Sequence, residues 1–358
     1  MPIDSQRTKS TLPTPRGFSL IELIATIAIL IVLAGAIAPA LGQIRSQSRA
    51  ATSADNLMQI GQARDMYATD NTDRIFTYTW RAGETYTMPN GQTRTPNSAQ
   101  EAASRQNEEI LGRRTGRING ISKIRHDSAR LAHRRFVHVV LMDYLAGDDD
   151  AAFANPIFVD PADGDLLNWQ ERPLDYTEQN SGLPYAEGQA PSGYDQNNVW
   201  LQTAVRQRWS FATSYFSISF AWQGDGPNNV YGPISSTPHL YSANGTPDLS
   251  GRLMNQVLFP SRKVHLFEEF DREQKRQPYF AYGSARPDKL MFDGAINSQA
   301  SNGSQSSVHP TNPNGSIWKQ RYLPLHIFPI PAIGGLGSNR ELDMRYMWTK
   351  NGLQGFDY

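Results

Sequence analysis

Residues 18–38 read FSLIELIATIAILIVLAGAIA, an apolar run interrupted by one ionisable side chain, Glu22. A helix of that length reaches roughly 30 Å at ~1.5 Å per residue, about the thickness of the hydrocarbon core of a bilayer. Glu22 sets the run apart from a plain anchor. A carboxylate in an apolar span is costly to desolvate, and such residues mark functional positions by default. On its N-terminal side lie residues 1–17, where Arg7, Lys9 and Arg16 against Asp4 leave a net charge of +2. This short basic segment predicts a cytoplasmic N-terminus. Arg45 and Arg49, just beyond the run, work against that bias.

Two other readings of the same stretch make different predictions. A cleavable secretory signal has a shorter apolar region and ends at small residues. The places for such a cut are Ala34-Gly35-Ala36 and Ala38-Pro39-Ala40, and it would release the protein. A plain signal anchor accounts for the hydropathy and leaves Glu22 without a purpose. A cut between Gly17 and Phe18 gives Glu22 one: it would create an α-ammonium one helical turn before Glu22, which the carboxylate of a neighbouring copy can pair with inside a helical bundle.

Arg16-Gly17-Phe18-Ser19-Leu20-Ile21-Glu22 resembles the prepilin processing motif of type IV pilins and type II secretion pseudopilins. The resemblance is strong from Arg16 to about Tyr67. It implies that an inner-membrane prepilin peptidase removes the leader, residues 1–17, after Gly17 and N-methylates Phe18. It implies that Glu22 sets subunit register during assembly with other pilin or pseudopilin subunits, and that the helix kinks or melts at Pro39. A proline in a helix interior removes one hydrogen bond and crowds the preceding turn, and Gly35 and Gly42 soften the same region. The expected fold class is α+β: a long N-terminal hydrophobic helix over 18–70, doubling as a single-pass inner-membrane anchor, packed on an antiparallel sheet in a loop-rich periplasmic head over 71–358. After assembly the head would lie on a periplasmic or surface filament. The large head favours a minor or specialised subunit.

Formal charge is zero, from 34 basic and 34 acidic residues, which argues against a general nucleic-acid binder. There is no cysteine, which excludes disulfides, zinc–thiolate sites and thiol nucleophiles. Over 43–70 the residues Ala50, Leu57, Ile60, Arg64 and Tyr67 lie near one face at helical spacing, and Asn71 and the polar residues beyond it end the helix. Residues 71–127 give no clear element. Their basic tract, with Arg113, Arg114, Arg117, Lys123 and Arg125, reads as a solvated insertion. A second helix is expected at 129–146, where His133 and His138, five apart, are poorly spaced as metal ligands.

Asp160, Asp163 and Asp165 in PIFVDPADGD follow a short expected strand and are weak candidates for calcium, since hard oxygen ligands cluster this way. Strands are expected at 211–222, 263–270 and 289–292, forming an antiparallel meander. The segments PSRKVHLFEE and LMFDG loosely resemble a large-headed pilin-like group abundant in planctomycete-type bacteria. Gly283 stands near where many of that group carry a histidine, so no site carries over. No nucleophile elbow, metal-binding helix motif or phosphate loop is present. Glu268, Glu269 and Asp271 read as an exposed strand end. The rival from another class is an anchored carbohydrate-binding protein or hydrolase using such carboxylates and surface aromatics. The aromatic tail, 345–358, is expected to cover the sheet.

Overall fold

The computed structural model describes residues 18–119, 124, 135–145, 155–171, 211–222, 231–234, 237–243, 249, 251–274, 277–309, 312–317, 319–322 and 340–358. It is an α+β protein. Helix α1 spans Leu20–Asp70 without a break, so its backbone remains helical through Pro39. Among the described residues no helix is long and apolar enough to cross a membrane; the side chains of residues 36–40, inside the apolar part of α1, lie outside that set. The chain divides into two compact units, 1–48 and 49–358, so the boundary falls within α1 rather than at its end.

In the larger unit, α1 buries the face expected from its spacing: Leu57, Ile60, Arg64 and Tyr67 are each less than 5% exposed. Its end is closed by the backbone. The Asn71 amide donates to the Tyr67 carbonyl at 2.9 Å and that of Asp73 to Ala68 at 2.8 Å, while Thr72 and Asp73 take left-handed φ values of 55° and 64°. This is how a helix satisfies its last carbonyls when the chain turns sharply.

A small hairpin follows, β1 (Tyr86–Thr87) with β2 (Thr93–Arg94), and then α2 (Ala99–Thr115). Beyond it, a 3-10 segment Val137–Leu141 runs into the short α3 (Met142–Leu145). Next come α4 (Gly164–Glu171), β3 (Tyr215–Ser217), α5 (Ser219–Trp222) and a hairpin of β4 (Tyr231–Ile234) with β5 (Thr237–Ala243). Then follow β6 (Val264–Glu268), β7 (Lys289–Met291) and β8 (Ile296–Asn297). Two further antiparallel pairs join β9 (Val308–His309) to β10 (Asn312–Ile317), and β11 (Lys319–Tyr322) to β12 (Arg340–Asp343).

The central sheet has the order β3-β6-β7-β8, antiparallel throughout, with Phe216 opposite Phe267 and Leu266 opposite Leu290. The expected meander therefore holds. Gly294, at φ 91°, makes the tight turn from β7 to β8, a conformation that a side chain would strain. Helix α1 lies close on β7: a Cβ on Gly61 would stand 3.3 Å from a Leu290 methyl.

Three expected elements need correction. The strand expected at 211–222 is only three residues long, and Ser219–Trp222 is helical. Both faces of β3 are buried. The expected helix at 129–146 is a 3-10 segment and one α-turn where described; His133 lies outside the described residues. All of Val137–Leu141 is buried and three of its five residues are Val, β-branched and stiff at χ1, which disfavours regular helix. The strand expected before Asp160 is a 3-10 turn, Pro156–Phe158, started by the Asn155 cap and by a proline, which pre-sets φ and has no N–H to lose.

The basic tract is a solvated insertion only in part where described: Arg113 is 48% exposed and Arg114 12%. Arg113 and Arg114 both pair with Asp143 at 2.9 Å, and Arg117 is buried. Lys123 and Arg125 lie outside the described residues. The tail packs as expected: Tyr346, Met347, Trp348 and Leu353 are in the core, with Trp348 edge-on to Phe220.

Candidate functional site

The smaller unit carries the residues of the processing motif. Gly17 lies outside the described residues; Phe18 is 78% exposed. Ser19 begins α1 with a reciprocal cap. Its hydroxyl accepts from the Glu22 amide at 3.3 Å, and the Glu22 carboxylate accepts from the Ser19 amide at 2.9 Å and hydroxyl at 2.8 Å. Ser-x-x-Glu at a helix start satisfies two of the amides that have no partner within the helix. The pattern is legible in residues 19–22, and hydropathy alone passed over it. Glu22 is thus held locally and remains exposed, free to take a cation as a further partner.

From there Leu20, Ile21, Ile24, Ile27, Leu30, Ile31, Leu41 and Ile44 are all about half or more exposed. Among the described residues this is a helix surface with exposed apolar side chains all round. Such a surface is stable only when covered. Arg45 and Arg49 follow, both exposed.

The larger unit concentrates its ionisable groups where α1 meets the sheet, and these are the carboxylates that the sequence placed at an exposed strand end. They are buried: Glu268 is 6%, Glu269 4% and Asp271 3% exposed. Glu268 accepts from the Ser53 hydroxyl on α1 at 2.5 Å and from the Asp288 amide at 3.1 Å, and Ser53 also meets the Tyr215 hydroxyl at 2.9 Å. Burial, with the nearby Asp160 and Asp288 carboxylates adding to it, pushes the Glu268 carboxyl well above its usual range. Glu269 pairs with Arg135 at 2.5 Å, and Asp271 accepts from the Arg286 amide at 2.6 Å and from Gln274. The error has a physical origin: every partner except Gln274 lies 15 or more residues away, beyond the reach of local pattern.

Further along the seam, Asn56 donates to the Val159 carbonyl at 3.1 Å. Arg64, 1% exposed, donates to the Met291 carbonyl at 3.2 Å, pairs with Asp65 at 2.8 Å and faces the His265 ring, whose own proton affinity is driven far down by burial and by Arg64. His138 is similarly kept neutral, pulled down to about 3 by burial, with its ring 4.4 Å from that of Phe158.

Of the calcium candidates, Asp160 and Asp163 come together, around a guanidinium. Arg272 reaches Asp163 at 2.6 Å and Asp160 at 3.5 Å, and Ser214 donates to Asp163 at 2.7 Å. The Asp165 side chain lies outside the described residues. Among the described residues no group of three acidic or histidine side chains is arranged to hold a metal. The last polar cluster is Lys263, fully buried, with Asp357 at 3.3 Å and Thr349 at 2.5 Å; Asp357 also accepts from the Val264 amide at 2.8 Å. These side chains hold elements of the head together, with carboxylate oxygens taken up by donors of the same chain.

No family model, curated protein or solved structure matches the chain.

Proposed function

We propose that this protein is a structural subunit of a type IV pilus-like or type II pseudopilus-like filament. The observation that carries the reading is α1: an exposed apolar stretch beginning with a capped Glu22, continuous with a stretch that anchors a sheet-based head. In this reading the leader, 1–17, is cut off by a prepilin peptidase, Phe18 becomes the methylated N-terminus, and the apolar stretch sits in the inner membrane until it exchanges lipid for like helices. The head stays on the periplasmic side. Glu22 pairs with the new ammonium of a neighbouring subunit. An exposed carboxylate is available to do so at little loss, since its Ser19 bonds are local and re-formed by water or lipid headgroups. Pro39 with Gly35 and Gly42 supplies a place where the helix can bend under packing.

The rival reading, an anchored hydrolase or carbohydrate-binding protein, drew on Glu268, Glu269 and Asp271. Their burial against Ser53, Arg135 and Arg286 removes that particular support.

The mass of the N-terminal peptide of protein isolated from its own envelope tests the proposal. A peptide starting at monomethylated Phe18 is expected. One starting at the initiator residue, or beyond Ala34, overturns it. Given correct processing, Glu22→Ala is expected to leave cleavage intact and reduce incorporation into filaments at least tenfold.

A further inference from the structure

Arg45 has no part in the assembly reading, and it stands against the charge bias that orients the chain. It is exposed on α1, directly after the exposed Leu41 and Ile44, and it makes no hydrogen bond or ion pair among the described residues. Position along the helix gives it a use. At ~1.5 Å per residue, Arg45 lies just under 40 Å along α1 from Leu20. The hydrocarbon core of a bilayer is roughly 30 Å thick and the whole bilayer about 40–45 Å. With the Leu20 end at one interface, Arg45 therefore falls in the opposite headgroup layer, and an average tilt of ~20° shortens the reach by only a few ångströms and leaves it there. A guanidinium with five donors and no protein acceptor, at the depth of the phosphates, matches a phosphodiester in a way that a lysine point charge does not.

Resting on the membrane-anchored reading above, we propose that Arg45 binds the phosphate of an anionic phospholipid in the head-side leaflet and so fixes the depth at which α1 sits before assembly. The cost of a basic residue on the outer side is offset by this contact. Arg49 lies one further turn along, about 43 Å from Leu20, at the outer limit of the layer, and contributes less.

The test uses the full-length protein in vesicles of neutral phosphatidylcholine doped with trace spin-labelled lipids. The readout is the ratio of phosphatidylglycerol to phosphatidylcholine immobilised at the protein surface. The contribution of Arg45 to that ratio is expected to be about fivefold, from ~1 kcal/mol per basic residue at an anionic surface, on top of what the basic residues of 1–17 add. Relative to the unaltered chain the ratio should fall about fivefold in Arg45→Gln, fall part of the way in Arg45→Lys, whose point charge keeps the attraction without the bidentate match, and drop less than twofold in Arg49→Gln. A ratio unchanged in Arg45→Gln overturns the proposal, as does loss of the preference in 10 mM inorganic phosphate, which would mark a site for free phosphate. Failure of the protein to float with the vesicles at all is a different result: it overturns the anchored reading itself.

Discussion

The two stretches of α1 invert the usual rule. The part before Arg45 is almost wholly apolar and lies exposed; the part after Arg49 carries Ser53, Asn56 and Arg64 and buries all three. Hydrophobicity alone does not set burial here. A polar group buries without penalty when each of its donors and acceptors is met, and Glu268, Val159 and Met291 meet these. The later stretch of α1 is specified by the sheet it packs on, while the earlier stretch, where described, stays exposed.

The contrast breaks down if truncations in the two stretches have similar effects. The largest effect is expected for Asp357→Ala, which leaves Lys263 buried without its counter-charge and costs about 3–5 kcal/mol of head stability in denaturant titrations. Leu57→Ala should follow at about 2–5 kcal/mol, whereas Leu30→Ala, 59% exposed, should shift the same transition by less than about 0.5 kcal/mol. Equal shifts would mean that the early stretch is held by the head after all.

Glu268 sharpens the comparison through pH. Its folded-state proton affinity is raised, so the folded protein holds a proton that the unfolded chain gives up near pH 4.5. The stability this group contributes is therefore fully present below that value and declines as pH rises towards the folded pKa. Unfolding curves of Glu268→Gln compared with the unaltered protein should show the variant gaining relative stability from about pH 4.5 upwards. A difference that stays flat with pH would mean Glu268 is ionised in place. Among substitutions that remove a contact of the head, the smallest effect belongs to Ser98→Ala at the start of α2, about 1 kcal/mol, since one capping bond is lost.

How much of this the sequence carried depends on the reach of each signal. Helical spacing put Arg64 on the buried face of α1 beside Leu57 and Ile60, and three of the four central strands followed from short apolar runs near Phe216, Phe267 and Leu290. Helix α2 was legible and passed over: Ser98 caps the Glu101 amide at 3.1 Å and Gly116 closes the helix at φ 68°, both marked in the sequence. Its weak apolar periodicity hid it, because it buries Ser104, Gln106, Asn107 and Glu108 alongside Ile110 and Leu111. Gln106, for example, accepts from the Thr79 amide at 2.7 Å. The fate of Glu268 and of Asp163 was not legible at all, since Ser53 and Arg272, their partners, lie 215 and 109 residues away.

The pair of Lys263 and Asp357 has a consequence in time. The two are 94 residues apart, and at ~5–20 residues per second the ribosome takes roughly 5–20 s to make the second after the first. Throughout that interval β6 exists without the carboxylate that pairs with its Lys263 ammonium in the folded protein. This contact, which ties β6 to the final stretch of the chain, therefore forms only after that stretch has emerged, late in synthesis.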